Sequence, residues 1–223
     1  MEKRVGLLVI LSAFTLYLNA QSFSTREWNT SVRNKPLIFY ITGDGGFNKF
    51  SDGFCKRLNQ NGFDVVALDA KSYFWKRKTP EQTTGDISDF LLRKMEGRAD
   101  QQIVLIGYSF GADVLPFVLN RLPASLRDRV QVSFIVESSG STDFEIHVLD
   151  MFGAGKKRSI EVLPEVNRLH GYKIVTISSS DGEGLDAKRI TVPNSVEVTL
   201  PGGHHFDDKS GELATVVEKY IRE

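Results

Sequence analysis

Short apolar runs alternate along the chain with segments whose apolar residues recur every three or four positions. Continuous apolar runs are typical of strands buried on both faces, and the longer period is typical of helices packed against them. We predict strands over residues 36–41, 63–68, 102–107, 130–136, 172–178 and 195–200. We predict helices over residues 52–61, 79–97, 110–121, 160–169 and 209–222. This order predicts an α/β fold with a mainly parallel sheet, helices on both faces, and a small lid or none.

The first residues form a segment of their own. Lys3 and Arg4 precede an apolar run from Val5 to Leu18, and the small residue Ala20 follows it. This is the pattern of a secretory signal peptide, and the run is shorter than the roughly 20 residues that a spanning helix needs. We therefore predict a cleaved signal peptide over residues 1–20 and a single exported domain over residues 21–223.

Composition narrows the class of protein. Of the 223 residues 41% are hydrophobic, and 28 basic side chains balance 28 acidic ones. These proportions are typical of a globular domain, and a net charge of zero provides no basic surface for nucleic acid. The single cysteine, Cys55, excludes an internal disulfide and a cysteine-based metal cluster. We expect no nucleic-acid partner, no metal and no cofactor.

The clearest chemical motif is Gly-Tyr-Ser-Phe-Gly at residues 107–111, between a predicted strand and a predicted helix. A serine flanked by two glycines in this context predicts a sharp turn that lifts the hydroxyl above the sheet. The helix that follows directs its N-terminus, with its free N–H groups, toward charge developing beside the serine. We therefore predict that Ser109 is a catalytic nucleophile.

A serine nucleophile needs a base, and the chain has only four histidines. His147 lies in a mixed apolar stretch and His170 at a predicted helix end, so both are better explained as structural. His204 and His205 follow the last predicted strand, where the base of such a site is expected. We favour His204, because the preceding glycines leave room for its ring, and keep His205 as the alternative.

An acid must orient the imidazole and stabilise its charged form. The loop after the predicted strand 172–178 contains three candidates. We expect Asp181 to be the acid, with Glu183 and Asp186 as alternatives.

The oxyanion of the reaction needs two N–H donors. One is expected from Phe110, the residue after the nucleophile. The second is expected from the glycine-rich loop at residues 42–46, through Asp44 or through Gly45. No Gly-Lys-Ser/Thr follows this loop, so it is not predicted to bind nucleotide phosphates.

Together these segments resemble the VirJ/AcvB family of exported bacterial α/β-hydrolases. The likeness is carried in order by residues 43–46, 73–81, 107–116, 144–148 and 200–206. Where the family often has tryptophan after the glycine pair, this chain has Phe47. The resemblance implies an α/β-hydrolase fold and a virulence-associated serine esterase in the periplasm of a Gram-negative bacterium. It further implies a substrate, aminoacylated phosphatidylglycerol, typically the lysyl form.

Two other functions remain open at this point: a general exported carboxylesterase or thioesterase, and a non-catalytic periplasmic adaptor that binds secretion-system proteins.

For the lipid substrate, residues 71–78 mix three aromatic residues with four cations, a combination suited to a membrane surface. Glu137 or Asp86 is expected to hold the substrate's ammonium group. The residues expected to bind substrate are Gly45, Tyr73, Trp75, Arg77 and His205.

Overall fold

The computed structural model describes residues 23–32, 34–98, 100–147, 158–182 and 184–223. The predicted signal peptide, Val148 and the alternative acid Glu183 lie outside these residues. The strands are β1 (Thr25–Trp28), β2 (Leu37–Ile41), β3 (Val65–Leu68), β4 (Ile103–Tyr108), β5 (Val130–Val136), β6 (Ser141–Thr142), β7 (Ile160–Glu161), β8 (Ile174–Ser179) and β9 (Val196–Leu200). The helices are α1 (Lys49–Gln60), α2 (Ala70–Tyr73), α3 (Pro80–Lys94), α4 (Phe110–Leu119), α5 (Ala124–Arg127), α6 (Leu163–Val166) and α7 (Ser210–Arg222).

Seven strands form one twisted sheet in the order β1-β3-β2-β4-β5-β8-β9. Only β1 runs antiparallel, against β3, and the other pairs are parallel. The predicted α/β class with a mainly parallel sheet is therefore confirmed. The chain crosses from one side of β2 to the other between β3 and β4, and because the crossovers are right-handed this places the connecting helices on both faces of the sheet.

The sheet separates two apolar cores, because successive residues of a strand point to opposite faces. Phe39 packs on the side of α3 and α4, whereas the next residue, Tyr40, packs on the side of α1 and α7. Every residue of β2 and of β4 is buried. This two-sided burial explains why these strands read as continuous apolar runs rather than as an alternation.

The sequence pattern did not predict the short elements of the fold, including the helices α2 and α5. Residues 25–28 form the antiparallel edge strand β1, and residues 141–142 and 160–161 pair as the small sheet β6–β7. The helix predicted over 160–169 is wrong at its start, because residues 160–161 are taken up by β7 and α6 covers only Leu163–Val166. These elements are too short to show a period.

The start of α4 lies unusually close to the sheet. A Cβ atom on Gly111 would lie 2.2 Å from the carbonyl oxygen of Ile41, at the end of β2. A Cβ on Gly107 would lie 2.4 Å from the carbonyl oxygen of Gly111 itself. Both glycines of the Gly-x-Ser-x-Gly motif are thus required by backbone contact.

We expect the substitution Gly111→Ala to lower the free energy of unfolding by about 3 kcal/mol or more, since backbone rather than a flexible side chain must move. Gly85→Ala is the matched control. Gly85 lies inside α3, and a Cβ there would meet nothing within 4 Å. It should raise stability by about 0.5–1 kcal/mol through helix propensity. Urea denaturation followed by circular dichroism measures both, and equal midpoints for Gly111→Ala and wild type would contradict the close contact.

Candidate active site

Ser109 occupies the turn between β4 and α4 in a conformation that L-residues rarely adopt, with φ 54° and ψ −119°. Its N–H donates to the carbonyl of Val136 on the neighbouring strand β5 at 2.8 Å. Its own carbonyl accepts from the N–H groups of Ala112 and Asp113 in the first turn of α4. These bonds hold the strained backbone, and the side chain is presented at the carboxyl edge of the sheet.

His204 lies in the turn that follows β9, and its Nε2 is 2.9 Å from Ser109 Oγ. The Tyr108 hydroxyl, next to the serine in β4, donates to the carbonyl oxygen of His204 at 2.7 Å. The structure thus brings Ser109 and His204 together, as the sequence predicts. This distance allows the imidazole to take the hydroxyl proton.

The carboxylate behind the imidazole belongs to Glu137, whose Oε2 lies 3.0 Å from His204 Nδ1. Glu137 follows the last residue of β5, has a positive φ of 54°, and is only 6% exposed. Its carboxylate accepts hydrogen bonds from the backbone N–H and the hydroxyl of Ser179, at the end of β8. A buried carboxylate with these donors can fix the ring and stabilise its charged form.

The structure therefore corrects the predicted acid. Asp181 is exposed and accepts from the neighbouring hydroxyl of Ser180. The side chain of Asp186 caps the 3-10 turn Ala187–Arg189, through the N–H of Lys188. Neither of the two is bonded to His204. The physical reason is strand order: β5 lies between β4 and β8, so its end is closer to the nucleophile than the loop after β8.

Glu137 had been expected to hold a substrate ammonium group, and that expectation is wrong as well, since its carboxylate is occupied by His204 and Ser179. A sequence signal did exist. Glu137 is the first residue after a continuous apolar run, at the strand end next to the Gly-x-Ser-x-Gly strand. Without the strand order, this signal could not be preferred over the acidic loop at residues 181–186.

His205 does not contact the serine. Its Nδ1 lies 2.6 Å from the Tyr108 hydroxyl, and its ring packs against Phe50. Burial lowers the pKa of His205, and the adjacent His204 lowers it further. His205 is therefore a neutral support for the turn that carries His204, and it does not line the cleft in front of Ser109.

Two backbone segments border the serine where an oxyanion would form. Helix α4 begins at Phe110, so its first N–H groups have no acceptor within the helix. A turn closed by the bond from Gly46 N–H to Gly43 C=O, 3.0 Å, places Asp44 and Gly45 at its tip. This turn packs on the nucleophile, because a Cβ on Gly43 would lie 3.2 Å from Ser109 Cβ. Phe110 and Asp44, the donors expected from the sequence, both line the cleft with Ser109, and their role as oxyanion donors stays a prediction.

Ser109 faces a cleft of about 880 Å³. Asp113 forms part of its wall and is only 3% exposed. Burial raises the pKa of Asp113 to about 7, although hydrogen bonds from Ser138, Ser139 and Gly140 act in the opposite direction. A cleft of this size is typical of small-molecule sites.

The aromatic and cationic segment at residues 71–78 is divided, because Tyr73 and Phe74 are buried whereas Trp75, Lys76 and Arg77 are exposed. Tyr73 is buried, and its hydroxyl donates to Asp86 at 2.5 Å. Neither Tyr73, expected to bind substrate, nor Asp86, expected to bind ammonium, lines the cleft in front of Ser109, so the structure does not bring either residue to the site. Arg77 forms an ion pair with Glu145 at 2.8 Å, and Trp75 is 53% exposed.

Comparison with solved structures identifies the fold. Similar folds are found in Est1E from Butyrivibrio proteoclasticus (14% identity, 89% of this chain and 92% of that chain, TM-score 0.62). They are also found in the enol-lactonase from Burkholderia xenovorans LB400 (13% identity, 90% and 96%, TM-score 0.65) and in the thioesterase domain from the curacin biosynthetic pathway (13%, 87% and 94%, TM-score 0.59). The fold is that of the α/β-hydrolases, and the site has the serine, imidazole and carboxylate of a serine hydrolase.

The family model for the bacterial virulence protein VirJ matches residues 36–223, so the chain belongs to the VirJ family. This confirms the membership expected from the sequence motifs. A search of curated proteins gave no match to the sequence.

The geometry predicts which acid serves His204. Glu137→Gln should lower kcat for an activated ester by about 10²- to 10⁴-fold, because the amide cannot stabilise the imidazolium. Asp181→Asn should stay within twofold of wild type. Initial rates on a 4-nitrophenyl ester, with circular dichroism to verify folding, measure both. The opposite ranking of the two variants would restore Asp181 as the acid.

Proposed function

We propose that the protein is a serine hydrolase that cleaves the aminoacyl ester of aminoacylated phosphatidylglycerol, with lysyl-phosphatidylglycerol as the type substrate. The observation that carries the hydrolase assignment is the relay from Ser109 Oγ to His204 at 2.9 Å and from His204 to Glu137 at 3.0 Å. The substrate class is supported by membership of the VirJ family.

In the proposed reaction, His204 Nε2 takes the Ser109 proton while Oγ attacks the ester carbonyl. Glu137 stabilises the resulting imidazolium, and the N–H groups of Phe110 and Asp44 receive the oxyanion. His204 then gives the proton to the departing glycerol oxygen, which leaves an aminoacyl ester on Ser109. Water, deprotonated by His204, attacks that ester; His204 returns the proton to Ser109 Oγ as it leaves, and the free amino acid is released.

A cationic acyl group is supported by the Asp44 side chain. Within the part of the chain that the structure describes, the Asp44 carboxylate makes no hydrogen bond or ion pair, although it lines the cleft beside Ser109. The other cleft carboxylates have partners: Glu145 pairs with Arg77, Asp113 accepts from three donors, Asp186 accepts from the Lys188 N–H, and Glu161 is engaged as well. We propose that Asp44 receives the substrate's ammonium group in place of Glu137 or Asp86.

The purified protein should release lysine from lysyl-phosphatidylglycerol in mixed micelles, measured by mass spectrometry, and Ser109→Ala should release none. Ser109→Ala should melt within a few degrees of wild type, since only a hydroxyl is lost. Hydrolysis of neutral acyl esters with no lysine release would instead favour a general carboxylesterase or thioesterase. Absence of both, with Ser109 unlabelled by a fluorophosphonate, would end the enzymatic proposal.

The same assays, on lysyl-phosphatidylglycerol and on a neutral acyl ester, test the role of Asp44. Asp44→Asn keeps the backbone N–H but removes the charge, so it should reduce kcat/KM for lysyl-phosphatidylglycerol about tenfold more than for a neutral ester. An equal loss on both substrates would show that the carboxylate does not recognise the cation.

We further propose that the protein works in the periplasm at a membrane surface. Export rests on the signal-like residues 1–20 and on the family. Among the helices of the described residues, none is long and apolar enough to cross a membrane.

Trp75 is exposed beside Lys76 and Arg77. The backbone carbonyl of the preceding residue, Phe74, accepts from the N–H of Ile146, which lines the cleft. A membrane contact through Trp75 would therefore lie next to the site.

Trp75→Ala should reduce co-sedimentation with vesicles of phosphatidylglycerol and phosphatidylcholine about threefold or more, through loss of an interfacial ring. Leu92→Ala is the control, because Leu92 is a similarly exposed apolar residue on α3. Hydrolysis of a water-soluble ester should be unchanged in both variants. Equal vesicle binding by wild type and Trp75→Ala would contradict a membrane contact at this residue.

A further inference from the structure

Asp113 is a buried carboxylate that the proposed reaction does not use. It lies in the first turn of α4, and its backbone N–H donates to the carbonyl of the nucleophile, Ser109, at 3.1 Å. Its place on the helix is therefore fixed relative to the nucleophile.

The Asp113 carboxylate accepts three hydrogen bonds from three successive residues. Oδ1 accepts from the Ser138 hydroxyl at 2.6 Å and from the Gly140 N–H at 3.2 Å. Oδ2 accepts from the Ser139 hydroxyl at 2.5 Å. These three residues come directly after Glu137. The Asp113 side chain therefore holds the segment that follows the catalytic acid in the chain.

Glu137 needs such fastening because its φ of 54° is unfavourable for a residue with a side chain. On the preceding side, its N–H donates to Ile177 of β8 at 2.8 Å. On the following side, the chain is held by Asp113 and by the bond from Leu185 N–H to the Ser138 carbonyl, 3.0 Å. Loss of the Asp113 bonds would free the backbone of Glu137 to relax away from His204.

We propose that Asp113 is a positioning residue for the catalytic relay, which ties the helix of the nucleophile to the segment that carries the acid. It acts through Glu137 and does not touch the reacting atoms. The carboxylate can accept from all three partners, whereas an asparagine would offer one acceptor oxygen and could keep the Ser139 contact only if that hydroxyl turned to accept from its amide. This inference rests on the proposed hydrolase function.

The test is Asp113→Asn, assayed on a soluble activated ester across pH. We expect kcat to fall about 10- to 100-fold with KM within about twofold, as for an interaction that matters in the transition state. A well-placed Glu137 stabilises the charged imidazole, and a misplaced one stabilises it less. The acidic limb of the kcat/KM profile should therefore move to lower pH by about half a unit or more.

Glu165→Gln separates positioning from general destabilisation. Glu165 is likewise buried and bonded to a residue that follows α4, with Arg121 at 2.6 Å, but it has no bond to the relay. This variant should lower the melting temperature and leave the acidic limb in place. An acidic limb that moves equally in Glu165→Gln and Asp113→Asn would overturn the inference.

Ser138→Ala and Ser139→Ala each remove one of the three donors and should shift the limb in the same direction by less. If Asp113→Asn does not fold, the two serine variants provide the test. A wild-type pH profile in both Ser138→Ala and Ser139→Ala would overturn the inference. A folded Asp113→Asn with wild-type kcat and acidic limb would also overturn it. Failure of the proposed function shows differently, as a wild-type protein that neither hydrolyses esters nor reacts with a fluorophosphonate.

Discussion

The close approach of helix α4 to the ends of β2 and β4 is the constraint on which the site depends. Backbone atoms of Gly111 face the Ile41 carbonyl where no Cβ fits. The chain can make this contact only by turning sharply at Ser109, which is why that residue has a positive φ. The same turn points the free N–H groups of the helix at the serine. Packing and catalytic geometry thus have one cause.

The relay is assembled from the ends of parallel strands. Ser109 follows β4, Glu137 follows β5 and His204 follows β9, so each side chain is delivered by a backbone that is fixed in the sheet. Both Ser109 and Glu137 have a positive φ of 54°. Strain at two members of the relay shows that the surrounding hydrogen bonds outweigh a local cost of about 1–3 kcal/mol each.

The sequence was sufficient for the parts of this design that local chemistry determines. The six longer parallel strands, the turn at Ser109 and the choice of His204 all follow from apolar runs and from glycines at fixed spacing. The acid does not, because the choice between Glu137 and Asp181 depends on which strand lies next to β4. Likewise, Tyr73 and Trp75 are two residues apart in an aromatic stretch, yet one is core and the other is exposed. Strand order and the orientation of a connecting segment are tertiary properties, and a local sequence pattern does not predict them.

The Tyr108 hydroxyl holds the turn after β9, through the carbonyl of His204 and the ring of His205. In the sheet formed by the described residues, strand β9 is the last and has a neighbour, β8, on one side only. Edge strands move more readily than central ones, and a base carried by such a strand would drift with it. Because these hydrogen bonds come from Tyr108, the residue beside the nucleophile, Ser109 and His204 are both held by the central strand β4. Motion of the edge strand β9 therefore has little effect on the distance between Ser109 Oγ and His204 Nε2.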